Sequence, residues 1–212
     1  DQAKPRGMMR WPLLLAALSL ALGQAGCRPG EPEPPHNPQP KPRPAPEVET
    51  RTLHELADTD DTDALRHALQ LGQPIEALNA LGQTPLHVAA IKNKPANIGV
   101  LLAFRANLHA KTQKEKVDAL YLACAHDSRD AIKQLVAKGA KPDSTAPNGW
   151  TAVHVAAING RDAVLQLLHD LGKDLSPLCP DGTPLDFARI HKRDATVQLL
   201  TRLGAKKGAT LS

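Results

Sequence analysis

Two kinds of apolar pattern divide this chain. Near the start, Leu13 to Leu22 is a run of ten residues broken only by Ser19. From residue 49 onward the apolar positions come instead in short clusters at helical spacing. Leu86, Ala89 and Ala90 make one cluster, and Ile98, Leu101 and Leu102 the next. Positions i, i+3 and i+4 share a helix face, so the pattern predicts pairs of short helices. Between the two regions, Pro29 to Pro46 carries proline at nearly every second position and has neither period.

The paired clusters repeat. Gly82-Gln83-Thr84-Pro85-Leu86-His87-Val88-Ala89-Ala90 returns as Gly149-Trp150-Thr151-Ala152-Val153-His154-Val155-Ala156-Ala157. A third copy is Gly182-Thr183-Pro184-Leu185-Asp186-Phe187-Ala188, and a degenerate one is Asp118-Ala119-Leu120-Tyr121-Leu122-Ala123-Cys124. A polar first copy runs from Arg51 to Ala57. Starts at 51, 84, 118, 151 and 183 give spacings of 33, 34, 33 and 32. Each second half agrees: Leu101-Leu102 leads to Ala106-Asn107, Leu135-Val136 to Gly139-Ala140, Leu167-Leu168 to Gly172, and Leu199-Leu200 to Gly204-Ala205.

Local chemistry supports helices in these places. Thr84-Pro85 opens one, because threonine caps and proline is tolerated in the first turn. Gly139, Gly172 and Gly204 fall where a helix ends and a positive φ is cheap for glycine. No unit of this size buries its own apolar face, so neighbours must stack. The outer copies read as caps: Asp58, Asp60, Asp61 and Asp63 give the first a polar face. Arg189 stands in the last copy where inner copies place Ala90, Cys124 or Ala157.

Five correlated copies resemble the ankyrin repeat family over about three quarters of the chain. The resemblance implies an all-α repeat solenoid of about five stacked helix-turn-helix units with short hairpin loops, over residues 49–207, followed by a tail at 208–212. It also implies a protein partner held in a concave groove formed by hairpin tips and the exposed face of each first helix. Mapped onto this sequence, the tip positions are Gln83 and Trp150. The second unit supplies Val88, Ile91 and Lys92, and the third Leu122 and His126. The fourth supplies Val155, Ile158 and Asn159, and the fifth Phe187, Ile190 and His191. The row is more apolar than solubility requires. Trp150 carries the most weight, since nothing about a hairpin tip needs an indole and aromatic anchors are common hot spots. Packing of Val88, Val155, Phe187 and Trp150 between neighbouring units is the alternative use of these side chains.

Residues 1–26 read as upstream sequence and a secretory signal. Arg10 is the basic region, and the Leu13–Leu22 run is too short for a bilayer span of roughly 20 residues. Leu22-Gly23-Gln24-Ala25-Gly26-Cys27 resembles a bacterial lipoprotein processing site, in which the cysteine becomes the acylated first residue. Gln24 departs from the leucine of that pattern, which leaves ordinary cleavage near Ala25 as the alternative. Arg28 after the cysteine favours, by the same resemblance, sorting to the outer membrane. Residues 27–48 are then a lipidated Cys27 and a proline-rich tether; at roughly 3.1 Å per residue in extended polyproline geometry its 18 prolyl-rich positions span about 55 Å. A proline-rich ligand for a partner is the second reading of that arm.

Composition narrows the function. Aromatics are 2% of 212 residues and the charge sum is 26 minus 22, or +4. That gives neither the rings nor the basic excess of a nucleic-acid binder, so no nucleic-acid partner is expected. His54, His87 and His154 imitate a ligand set. They occupy the same slot in different units; adjacent units lie about one helix diameter, roughly 10 Å, apart, and His87 and His154 are two units apart, too far to share a metal. Each is expected to hold its own turn, as are Tyr121 and Asp186 in equivalent slots. Cys124 occupies a small buried slot. Cys179, beside Pro177 and Pro180, is expected to be more exposed and open to an intermolecular disulfide. No nucleophile elbow, phosphate loop or His-Glu-x-x-His appears, so neither an enzyme nor a cofactor is expected. The reading is a monomeric module, secreted across the inner membrane, facing the periplasm and anchored to a lipid bilayer through Cys27. It serves as a scaffold or stabiliser of a partner protein. An immunity protein against a periplasm-acting toxin, and a eukaryotic secreted ankyrin protein, are the alternatives.

Overall fold

The computed structural model describes residues 51–208. The Leu13–Leu22 run, Cys27 and the proline-rich arm lie outside the described residues. Ten helices follow in five pairs: α1 Leu53–Asp58 with α2 Thr62–Gln70, α3 Pro85–Ile91 with α4 Pro95–Ala103, α5 Ala119–Ala125 with α6 Arg129–Ala137, α7 Ala152–Ile158 with α8 Asp162–Asp170, and α9 Pro184–Ile190 with α10 Asp194–Arg202. Each pair packs only on its neighbours, as a solenoid requires.

The odd-numbered helices approach one another more closely than the even-numbered ones. Residue size is the cause. Ala57, Ala89, Ala90, Ala123, Cys124, Ala156, Ala157 and Ala188 are all fully buried in these contacts. The bulkier Ile98, Leu101, Ile132, Leu135, Leu165, Leu168 and Leu200 of the even helices are fully buried as well and hold that layer further apart. The difference in spacing curves the stack, with the odd helices on its inner, concave side. The expected all-α solenoid of five units is therefore the fold.

Inner-helix starts follow the expected chemistry with one shift of register. Thr84, Thr151 and Thr183 are the N-caps of α3, α7 and α9. Asp118 does the same for α5, its carboxylate accepting the Tyr121 N–H at 2.9 Å. In the first unit the cap is Thr52 rather than Arg51: the Thr52 hydroxyl and the Glu55 carboxylate form a reciprocal pair. Arginine has no acceptor with which to cap, so the helix starts one residue later while its buried face, Leu53, Leu56 and Ala57, keeps register.

The acidic residues of the first unit are exposed, as a polar cap needs, and some do more. Asp58 and Asp60 also face the next unit. They reach into the second unit and pair with Lys92 at 3.0 Å and Lys94 at 2.8 Å. Asp61 caps α2 by accepting the Ala64 N–H at 2.9 Å. Arg189 is likewise exposed on α9, as a terminal unit needs.

Candidate functional site

Between successive pairs the chain forms fingers that end in tight turns. In the finger after α6, the Ala146 N–H donates to the Trp150 carbonyl at 2.8 Å and the Gly149 N–H to the Ala146 carbonyl at 2.9 Å. Gly149 takes φ +80°, which a side chain would resist. The turn sets Trp150 one residue before the cap of α7, beside the concave side of the inner helices.

Buried imidazoles hold these fingers. The Thr84 N–H and hydroxyl both donate to His87 Nδ1, at 3.1 and 2.8 Å. Nδ1 thus accepts, which leaves the proton on Nε2 to donate to the Ala110 carbonyl of the next finger at 3.1 Å. His154 repeats the arrangement, with Thr151 on Nδ1 and the Gly182 carbonyl 3.4 Å from Nε2. The local bond expected of each histidine is present at these two, and each also staples its unit to the next. Burial lowers both imidazole pKa values, partly opposed by the carbonyl bonds. His54 departs from expectation: Glu55 makes the turn bond, while His54 Nε2 donates only across to the Gln83 carbonyl at 2.9 Å.

The Tyr121 side chain makes no hydrogen bond to its own turn, where the Asp118 carboxylate accepts the Tyr121 N–H. Asp186 does: its carboxylate accepts the Thr183 N–H at 3.1 Å, the Thr183 hydroxyl at 2.7 Å and the Gly208 N–H at 2.9 Å. Burial acts to raise the Asp186 pKa, and these hydrogen bonds outweigh it and hold the carboxyl below its usual value.

The groove residues fall into two layers. Leu122, Val155 and Phe187 are buried, at 5%, 9% and 6% exposure, so they form the floor between units rather than a free rim. Val88, Ile91, Ile158, Gln83 and Trp150 are half-buried, and Lys92, His126, Asn159, Ile190 and His191 are exposed above them. Trp150 stands edge-on to Phe187, with ring centroids 5.1 Å apart, and Phe187 in turn packs on the His154 ring at 5.7 Å. The indole is thereby braced by the floor of the following unit. Its Nε1 is buried without a hydrogen-bond partner among the described residues.

Beside Trp150, between the third and fourth units, lies a largely apolar pocket of about 490 Å³. Tyr121, Ala125, Ala146 and Pro147 line it together with the expected Leu122, Val155 and Trp150, and Glu115, Asn148 and His126 stand around it. Sequence reasoning missed Tyr121 and Glu115 because the third copy is degenerate and Tyr121 had been matched to the histidine slot. A phenol where the other copies place a turn-bonding group was the available signal.

Cys124 is buried and burial pushes its thiol pKa well up, in keeping with the small slot expected of it. Cys179 is buried too, correcting the expectation of exposure. Its thiol donates to the Gly182 carbonyl at 3.2 Å inside the finger turn, and the turn closes over it, out of reach of another chain. Among the described residues, no three His, Cys, Asp or Glu side chains converge on a metal site, and no helix is long and apolar enough to cross a membrane.

The model of ankyrin repeats (three copies) matches residues 53–146 and 120–210. The chain belongs to the ankyrin repeat family. Its described part is accordingly a non-catalytic, protein-binding array of ankyrin repeats. The chain is also similar to glycerophosphocholine phosphodiesterase gde1 of Schizosaccharomyces pombe, 34% identical over 83 residues. That stretch is 39% of this chain and 7% of the relative, so the chain spans a small fraction of that protein's length.

Proposed function

We propose that the array is an envelope-located module that scaffolds or stabilises a partner protein held in the concave groove, with Trp150 at the centre of the contact. The observation that carries this reading is the half-buried indole, braced edge-on by Phe187 beside an apolar pocket. An aromatic ring fixed before binding loses little rotamer entropy when a partner arrives. Secretion and lipid anchoring rest on the sequence alone: the short apolar run and the Ala25-Gly26-Cys27 ending. One acyl chain anchors a protein marginally, whereas two or three hold it firmly. Membrane fractionation of Cys27→Ala against the native sequence tests this. The variant is expected to leave the membrane pellet, and equal partition of the two proteins overturns the anchor.

The groove is tested by capturing the partner from envelope extracts, identifying it by mass spectrometry and titrating it by calorimetry. Trp150→Ala is expected to weaken binding by about 2 kcal/mol, roughly thirtyfold. Ile158→Asp is expected to act in the same direction by placing an unpaired charge in the groove. Glu33→Ala in the arm serves as the control. Normal binding by Trp150→Ala, with the melting curve unchanged, moves the contact to the convex helices or the proline arm.

A further inference from the structure

The pocket beside Trp150 has a chemistry more specific than an apolar cleft. Two aromatic side chains line it, Tyr121 from α5 and Trp150 from the finger before α7. At its mouth stands Glu115, an exposed carboxylate that takes part in none of the ion pairs formed among the described residues. The carboxylate's field reaches the pocket: burial first, and then Glu115, raises the Tyr121 phenol pKa. The opposing charges are modest. Lys114 and Lys116 flank Glu115 in sequence and are exposed but do not line the pocket, and His126 is the one other titratable group at its wall.

Aromatic faces beside a carboxylate attract a cation, and do so most strongly where water is partly excluded. An aliphatic side chain would satisfy the rings and leave Glu115 without a partner. An anion would meet Glu115 directly. Between the two cationic side chains, guanidinium suits a slot of this kind better than ammonium: it is planar, stacks on rings, is weakly hydrated and pairs bidentately with a carboxylate.

We infer that the central pocket takes an arginine side chain from a loop of the partner protein, stacked against Tyr121 and Trp150 and paired with Glu115. The inference rests on the groove as the binding surface and names the chemistry at its centre.

The probe is acetyl-Gly-Gly-Arg-Gly-Gly-amide titrated into the full chain, read by NMR at the Trp150 indole N–H. A saturable shift of the Trp150 signal is expected. Glu115→Gln, a change at an exposed position that leaves the fold intact, is expected to weaken it about fivefold, the size of an exposed charge pair. Tyr121→Leu is expected to weaken it by a similar factor through loss of the cation–π contact. The same peptide with leucine for arginine is expected to leave the signal unmoved. The proposal is overturned if the leucine peptide shifts Trp150 as tightly, if Glu115→Gln binds the arginine peptide unchanged, or if neither peptide moves the signal. Should the arginine peptide fail while Trp150→Ala still weakens the captured partner, the groove stands and the cation falls. If Trp150→Ala leaves that partner bound normally, the groove itself falls.

Discussion

Gly82 and Gly139 both sit at positive φ, +73° and +95°, yet alanine is expected to cost very different amounts at the two. At Gly139 an added Cβ meets nothing within 4 Å, so the penalty is the backbone term alone, about 1 to 2 kcal/mol for an L-residue in the left-handed region. At Gly82 the same backbone term applies. The new Cβ would also lie 2.6 Å from the Cβ of Gln113 and 3.3 Å from its amide nitrogen. Ordinary carbon contacts are about 3.5 to 4.0 Å, so the two fingers must part by about 1 Å. The Gln113 N–H donates to the Gly82 carbonyl at 2.8 Å, and parting the fingers breaks that bond, a further loss of about 1 kcal/mol. With overpacking of about 1 to 3 kcal/mol added, Gly82→Ala is expected to cost about 3 to 6 kcal/mol in all. For an array of this length each kcal/mol moves Tm by about 2 to 4 °C. Gly139→Ala therefore lowers Tm by about 2 to 8 °C and Gly82→Ala by about 6 to 24 °C. Hydrogen exchange of the Gly82 variant is expected to rise first in units one to three, because units couple only to their neighbours. Equal losses of Tm in the two variants would refute close finger-to-finger packing as a source of stability.

Acid is expected to loosen units two and four first. Burial depresses the His87 and His154 pKa values below 6.5, so the unfolded chain binds protons more readily than the folded one. The stability they contribute is complete above about pH 6.5 and is lost as pH falls through the folded values. Tm measured from pH 7.5 to pH 5 should fall, and His87→Asn/His154→Asn should flatten that slope; an unchanged slope sinks the assignment. Asp186 acts the same way lower down, its contribution being lost below about pH 3.8. Ala157→Glu, which puts a carboxylate into a fully buried helix contact, is expected to cost several kcal/mol and to abolish the cooperative melt of units three to five by circular dichroism.

What the sequence made legible was whatever repeats. Thr-Pro caps, the small-residue face at Ala89-Ala90 and Ala156-Ala157, and the terminal glycines recur at one period, and each copy corroborates the others. What it hid was whatever depends on the neighbour. Cys179 reads as a loop cysteine between prolines, and only the closure of the turn onto the Gly182 carbonyl buries it. The pairing of the exposed Asp58 and Asp60 is hidden because Lys92 and Lys94 lie 34 residues away in the chain and one unit away in space. Leu122, Val155 and Phe187 fall at groove positions by period. Whether such a position is rim or floor is set by the next unit's finger, which the period does not encode. Tyr121 was hidden by degeneracy: by period it stands in the slot whose side chain accepts the cap residue's N–H, yet at its turn the bond runs the other way, from the Tyr121 N–H to the Asp118 carboxylate.

The exchange of histidine for aspartate at the fifth unit follows from hydrogen-bond polarity. His87 donates from Nε2 to the Ala110 carbonyl, 23 residues on. Asp186 has no proton to donate and accepts instead from the Gly208 N–H, 22 residues on. The path between agrees: the Asn107 N–H donates to Glu76, 31 residues back, and the Lys206 N–H donates to the Ser176 hydroxyl, 30 residues back. Residues 206–208 therefore enter along the same course as 107–110, toward the place a further finger would take. A carbonyl delivered there needs a donor beneath it, and an N–H needs an acceptor. The aspartate matches the group that this stretch presents. Gly208 matches the space, since an added Cβ would lie 2.6 Å from the Asp186 carboxylate. Asp186 and Gly208 thus form one device that satisfies the fifth unit's turn without the carbonyl that the second and fourth units receive.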